Sequence, residues 1–315
     1  MELWLAAIVL IIGMGILYLS SELAVDRLIL LASKLGASMF TVGFVVSSIG
    51  SDLPEIVNSI ISSYLGHGNI SVGDSLGSVN TQITLVLGII PFFCTFCRLI
   101  PREFAIVGIS EVVIVAISVF LSIDGAVTRT DGLILVTLWG LSLLIIRRFS
   151  SGQIAADDSE AIPTSDNELV QLAGYILAGF IGVGIGSYMV IEAAITISTA
   201  LGISEYFISF FVLSLGTSMP ELLVAISAIR KRHFELAIGD IIGSCIVDAT
   251  LAIGLGPIFF PITVDGSSIL YTGIYAILSS AIVVGVLTYR SFNDKKSGAL
   301  FLLVYLASWL LPFLF

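Results

Sequence analysis

Residues 47–59 read SSIGSDLPEIVNS and residues 213–225 read LSLGTSMPELLVA. Each run places Gly and then Pro in the middle of an apolar stretch, and a glutamate follows at once, as Pro54-Glu55 and Pro220-Glu221. Proline lacks an N–H and its ring disturbs the preceding turn, so both runs free backbone carbonyl oxygens beside a carboxylate. In a bilayer interior such groups persist only where they line a cavity or are buried in protein. A freed carbonyl next to a carboxylate is a ligand set for a cation.

The two runs belong to a longer duplication. A shift of 166 positions lays 21–55 on 187–221 without a gap, with Pro54 on Pro220 and Glu55 on Glu221. In the same register Gly73, Asp74, Gly77, Ser78, Thr84, Leu85 and Gly88 fall on Gly239, Asp240, Gly243, Ser244, Thr250, Leu251 and Gly254, and Pro91 falls on Pro257. Two unrelated apolar helices would align Leu, Ile and Val, not polar and helix-breaking residues.

Composition supplies the solvent. A chain of 315 residues that is 57% hydrophobic and 11% charged, with mean hydropathy +1.11, has more apolar surface than one soluble core can hide. A span needs about 20 apolar residues. Ten such stretches follow one another, at roughly 3–33, 38–65, 69–96, 103–121, 127–146, 169–200, 205–229, 235–261, 266–289 and 297–315. The expected fold is an all-α polytopic membrane protein of ten transmembrane helices, arranged as two inverted five-helix repeats. The first repeat would cover 1–148 and the second 169–315, with the duplicated cores at about 41–91 and 207–257. Five spans per copy is an odd number, so the second copy enters from the opposite side, and a binding site is expected near the midplane where the halves meet. The first stretch lacks a basic leader and a small-residue cleavage pattern, and is expected to be a retained span.

Basic residues set the expected orientation. With the N-terminus outside, Lys34, Arg98, Arg102, Arg147, Arg148, Arg230, Lys231, Arg232, Arg290, Lys295 and Lys296 all fall on the inner side. Both termini are then extracellular in the plasma membrane. The acidic linker 149–168, carrying Asp157, Asp158, Glu160, Asp166 and Glu168, is cytoplasmic and too short for a separate domain.

Charged side chains at mid-bilayer cost at least about 2.5 kcal/mol each, so Glu55 and Glu221 need compensation. The plain alternative is a kinked packing helix whose Glu is protonated or paired with a neighbour; no Lys or Arg lies in the central spans of the second, third, seventh or eighth stretch to be that partner, which favours a bound cation. Helical spacing adds more oxygen ligands. It groups Ser48, Ser51, Asp52 and Glu55; Asp74, Ser78 and Gln82; Ser214, Thr217, Ser218 and Glu221; and Asp240, Ser244 and Asp248. Carboxylates, hydroxyls, an amide and carbonyls suit hard cations such as Ca²⁺, Mg²⁺ or Na⁺ rather than zinc or copper. His67 and His233 sit at connecting turns and read as ordinary loop residues, and Cys94, Cys97 and Cys245 read as small apolar residues. The run GFIGVGIGS at 179–187 lacks the preceding strand of a phosphate loop and reads as a close helix-packing or sliding surface.

These motifs resemble the α-repeats of the cation/calcium antiporter superfamily, and most closely the short prokaryotic sodium/calcium exchangers. The matching segments are SIGSDLPEIVNSIISS with VGDSLGSVNTQITLVLG, and LGTSMPELLVAISA with IGDIIGSCIVDATLAIG. The resemblance implies a secondary antiporter, not an enzyme, that exchanges Ca²⁺ for Na⁺ by alternating access, with the first and sixth helices moving against the rest. It implies Glu55 and Glu221 as shared Ca²⁺ ligands, and hydroxyls of Ser51, Thr217, Ser218, Ser78 and Ser244 in flanking sodium sites. Carbonyls near Ser48 and Ser214 would serve the outer sodium positions. Asp248 matches a family aspartate, and Gln82 stands where the family usually has Asn. Expected partners are the lipid bilayer and inorganic cations, with no nucleic acid, no obligate protein partner and no cofactor apart from the transported ions.

Three departures stand out: Asp52 replaces a family Ser, and Asp74 and Asp240 replace Asn. Asp52, one turn before Glu55, is a candidate proton-coupling group or an added ligand. An H⁺/Ca²⁺ exchanger is therefore the alternative. A passive cation channel and an intramembrane aspartyl protease are more distant ones, the latter because the fuller G-x-G-D pattern is missing at Ser71 and Ala237.

Overall fold

The structure, a computed structural model, describes residues 2–34, 47–93, 97–98, 101–149, 166–230 and 234–314. Residues 150–165 of the expected linker, Cys94, Lys231, Arg232, His233 and the side chain of Ser48 lie outside the described residues.

The first half begins with the long helix α1 (Leu3–Lys34). The first Pro-Glu run forms α2 (Ser47–Ser51) and α3 (Leu53–Leu65), and α4 (Gly68–Asn80) continues through a π-helical turn at Thr81–Val86 into α5 (Leu87–Ile89). Helices α6 (Pro101–Ser122) and α7 (Arg129–Phe149) complete that half. The second half repeats the order. It has a long α8 (Asp166–Leu201), then α9 (Glu205–Ile208), a π turn at Ser209–Leu213, α10 (Ser214–Thr217) and α11 (Met219–Arg230). Next come α12 (Phe234–Val247), a π turn at Asp248–Ala252 and α13 (Ile253–Phe259), followed by α14 (Gly266–Arg290), α15 (Lys295–Ser308) and α16 (Leu311–Leu314).

Among the described residues seven helices are long and apolar enough to cross a membrane: Leu3–Leu28, Gly68–Phe92, Phe104–Ser122, Leu169–Leu201, Glu205–Arg230, Ala237–Phe259 and Gly266–Arg290. That is fewer than the ten expected. The stretch at 47–65 adjoins undescribed residues, 129–149 has charged ends (Arg129, Asp131, Arg147, Arg148), and 295–308 opens on Lys-Lys.

Burial separates an inner from an outer layer. The spans Gly68–Phe92 and Ala237–Phe259 are 83% and 89% buried, whereas Leu3–Leu28 and Leu169–Leu201 are 22% buried. The inner pair anchors the main apolar core, in which Leu76, Ile83 and Ile90 meet Phe210, Ile242 and Ile253. The outer pair, α1 and α8, packs mainly on each other, with Leu17, Val183, Val190 and Ile191 in a separate cluster. The glycine run makes that contact close: a Cβ on Gly179 would stand 2.8 Å from that of Ala24, and one on Gly186 would stand 2.8 Å from the Leu17 nitrogen. It lies inside α8 and is a packing surface.

Two short antiparallel ribbons join the halves. Strand β1 (Cys97–Arg98) pairs with β4 (Phe292–Asn293), and β2 (Ala126–Val127) pairs with β3 (Ile262–Thr263). The 166-residue shift carries Cys97 to Thr263 and Ala126 to Phe292, so it interchanges the two ribbons. Polar caps fix the neighbouring helix starts. Asp265 caps α14 through Ser267 and Ser268, and those hydrogen bonds hold its carboxyl below the usual carboxylate range. Asp294 caps α15; although burial opposes it, hydrogen bonds from the Ser297 backbone and the Arg290 guanidinium bring its carboxyl down to about 2.

Candidate cation-binding site

Both Pro-Glu runs are broken at the same point. The helix is interrupted at Asp52 (φ −86°, ψ 12°) and at Ser218 (φ −81°, ψ 7°), two residues before each proline. Pro54 cannot donate to the carbonyl four residues back, that of Gly50. Ser21 of α1 takes the vacated place, its Oγ donating to the Gly50 oxygen at 3.2 Å. The break turns the next helix so that Glu55 and Glu221 lie in its first turn, 1% and 0% exposed.

At the centre, Asp52, Glu55 and Asp248 each present a carboxylate oxygen, and the three atoms lie within 4.8 Å of one another. Glu221 is not part of that tight group, but Glu55, Asp52 and Asp248 are its charged neighbours. Both oxygens of Asp52, Glu55 and Glu221, and Oδ1 of Asp248, are buried with no hydrogen-bond partner, as are the hydroxyls of Ser218, Ser244 and Ser209. No Lys or Arg is among the buried residues described. Two unit charges 4.8 Å apart repel by about 3.5 kcal/mol at an effective dielectric of about 20. Oxygens arranged in this way call for shared protons or a shared cation, and an all-oxygen set suits a hard cation.

The remaining expected ligands divide. Asp74 is already engaged: Asn58 Nδ2 donates to Oδ2 at 2.7 Å and Thr217 Oγ1 to Oδ1 at 3.2 Å, while Ser187 of α8 donates to Asn58 Oδ1 at 2.9 Å. Ser78 meets Thr217 at 3.4 Å, and Ser214 lies 3.5 Å from Thr81. Asp240 is half-buried, its Oδ2 has no partner, and it is a charged neighbour of Asp52. Ser51 is half-buried in α2. Gln82, expected as an amide ligand, is engaged at both ends of its side chain. Its Nε2 donates to Asp248 Oδ2 at 3.0 Å, and its Oε1 accepts from the Cys245 thiol at 3.4 Å. Cys245 is thus more than a small apolar filler. His67 does sit at a connecting turn, paired with Glu205 at 3.0 Å.

Sequence reasoning missed Asn58 and Ser187. Asn58 is one turn beyond Pro54, but its repeat counterpart is Val224, so the comparison of halves hid it. Ser187 was aligned with Ser21 but lay in a helix read only for packing. A cleft lined by Met14, Leu17 and Tyr18 of α1 with Pro54, Gly216, Thr217 and Pro220 reaches toward both breaks.

The family model described as sodium/calcium exchanger protein matches residues 5–147 and 171–314. The inner membrane protein YrbG of Escherichia coli is 29% identical, over 98% of this chain and 99% of that one. A structure of the sodium-calcium exchanger NCX_Mj, soaked with 10 mM Na⁺ and zero Ca²⁺, superposes with a TM-score of 0.62 at 26% identity, covering 98% of each chain. The crystal structure of the H⁺/Ca²⁺ exchanger CAX superposes with a TM-score of 0.78 over 98% of this chain and 84% of that one; at 13% identity this is a likeness of fold.

Proposed function

The chain belongs to the sodium/calcium exchanger protein family, and from that premise we propose that it moves Ca²⁺ across the membrane in exchange for Na⁺. It is a transporter and not an enzyme, which removes the protease alternative. The observation that carries the reading is the set of partnerless buried oxygens on Asp52, Glu55, Glu221 and Asp248. A divalent ion among them replaces the missing counter-charge, and several monovalent ions at the same oxygens do so in turn. Competition for one ligand set couples the two fluxes.

In this reading Ca²⁺ is held by Glu55, Glu221, Asp52 and Asp248, while hydroxyls of Ser51, Ser78, Thr217, Ser218 and Ser244 and carbonyls near Ser48 and Ser214 serve Na⁺. Asp74 orients Thr217 and Asn58 rather than binding an ion. Ten spans in two inverted repeats, 1–148 and 169–315, supply the frame. Support comes from the interchange of the two ribbons under the repeat shift, and from the bond between Gln82 and Asp248, residues 166 apart. The basic residues favour outward termini and an inward linker at 149–168. Alternating access would come from α1 and α8, joined to each other more than to the core.

Proton coupling is the second reading, and the membership of Asp52 in the tight group favours it. Purified protein in proteoliposomes decides between them. Radiolabelled Ca²⁺ uptake driven by an outward Na⁺ gradient at matched pH supports Na⁺ exchange. Uptake driven only by a pH gradient supports the proton, and uptake without any counter-ion supports a channel.

A further inference from the structure

Gln82 and Asp248 occupy equivalent positions of the two halves, and they bond to each other. Cys245 and Val79 are equivalent too, and the Cys245 thiol reaches the Val79 carbonyl at 3.8 Å. Residues at equivalent positions meet only near the line about which the halves are related, and the Gln82–Asp248 side-chain contact and the Cys245 contact with the Val79 backbone both mark it. Two aspartates meeting there would set like charges face to face. With glutamine opposite aspartate the contact becomes a hydrogen bond.

The amide of Gln82 is committed at both ends, and its neighbours dictate its orientation. Nε2 faces a carboxylate oxygen at 3.0 Å and Oε1 faces a thiol at 3.4 Å. The flipped amide would put oxygen against carboxylate oxygen and leave the S–H only its longer contact, at 3.8 Å, to the Val79 carbonyl. Both Gln82 and Cys245 are 0% exposed, so both contacts are shielded from bulk solvent.

We propose that Cys245 and Gln82 are a positioning pair for Asp248: the thiol fixes the amide, the amide occupies Oδ2, and Asp248 presents Oδ1 alone to the substrate cation. This rests on the cation-site reading above. Asp248 Oδ1 is the oxygen without a partner, and it belongs to the carboxylate that shares the tight group with Asp52 and Glu55. A longer Gln in place of the family's Asn spans the distance to both neighbours, and so Gln82 stands behind the ligand rather than among the ligands.

The test is a double-mutant cycle read as KM and kcat for counter-ion-dependent Ca²⁺ uptake. If the unmodified protein shows no such uptake, the transport reading fails, and the pair is then judged from Ca²⁺-dependent thermal shifts in detergent. With uptake present, Cys245→Ala raises KM for Ca²⁺ by about two- to tenfold, the span of one modest hydrogen bond, with kcat little changed. Cys245→Ser, which keeps a donor, restores KM. In a Gln82→Ala background Cys245→Ala adds nothing, because the thiol acts only through the amide. Should Gln82→Ala not transport, the midpoint of its Ca²⁺-dependent thermal shift is compared with that of the double variant. An unchanged KM in Cys245→Ala, no rescue by Ser, or effects that add in the Gln82→Ala background would each overturn the proposal.

Discussion

Replacing Glu55 by Gln separates a binding role from a structural one, because the two predict opposite signs for stability. The substitution keeps shape and removes one negative charge from a group whose oxygens lie within 4.8 Å. Each full-charge repulsion at that distance is worth about 3.5 kcal/mol at an effective dielectric of about 20, and Glu55 takes part in two, with Asp52 and with Asp248. Carboxylates this close share protons when no metal is present, so a fraction of the sum is recovered. About 1–2 kcal/mol corresponds to a rise in Tm of about 2–6 °C in chelator. In the unmodified protein Ca²⁺ at a hundred times Kd adds about 2.7 kcal/mol, and in Glu55→Gln that increment disappears together with Ca²⁺ uptake. The assay is thermal unfolding in detergent with chelator and with Ca²⁺, beside uptake into proteoliposomes. A variant that melts lower in chelator yet keeps its Ca²⁺ shift would refute the reasoning, since Glu55 would then be a buried structural acid.

Asp52→Ser restores the residue type that the family pattern carries; transport persists while its cation coupling changes, read as altered dependence of Ca²⁺ uptake on Na⁺ and on pH. Gly77→Ala places a methyl 2.2 Å from the Phe210 carbonyl oxygen; α4 cannot then seat against the π turn at Ser209–Leu213, and a loss of about 3 kcal/mol or more appears as poor recovery of monodisperse protein. Asp294→Ala removes the α15 cap and its pair with Arg290, lowering stability by about 1 kcal/mol. Because the folded carboxyl lies at about 2 and the unfolded near 3.8, that contribution is complete above the unfolded value and fades as pH falls through the folded one. The difference in Tm between Asp294→Ala and the parent is therefore constant from pH 5 to pH 8.

The duplication, the helical class and the two Pro-Glu breaks were legible because each depends on residue type at a fixed spacing. Proline after glycine in an apolar run disrupts a helix wherever it occurs, and the structure interrupts both runs at Asp52 and Ser218. The tight group was less legible. The duplicated Pro-Glu motif put Glu55 and Glu221 forward and the family resemblance made them the shared pair, but which carboxylates converge depends on how α3 and α11 rotate against α4 and α12. That rotation is set by packing, as where Gly77 meets Phe210. The π turns at 81–86 and 248–252 also escape a periodicity of 3.6, and they shift the angular positions of Gln82 and Asp248. The amide of Gln82 could be placed on the right stripe from sequence, but its two partners could not.

The site departs from the symmetry of the chain that builds it. Each half contributes two of the four central carboxylates, yet at crossed positions: the first half has Asp52 where the second has Ser218, and the second has Asp248 where the first has Gln82. A symmetric arrangement would put either two acids or two amides on the line relating the halves. Crossing them keeps one acid at that line, held by Gln82 at 3.0 Å, and moves the other to the helix break beside Glu55. In the proposed exchange one divalent ion would balance two of these four acids, and a neutral loaded site would then call for protons or further cations as well. Charge movement follows from this. If Na⁺ supplies the balance, the current carried per Ca²⁺ is independent of pH, and if protons do, Ca²⁺ binding to detergent-solubilised protein in weak buffer releases acid that Asp52→Ser diminishes.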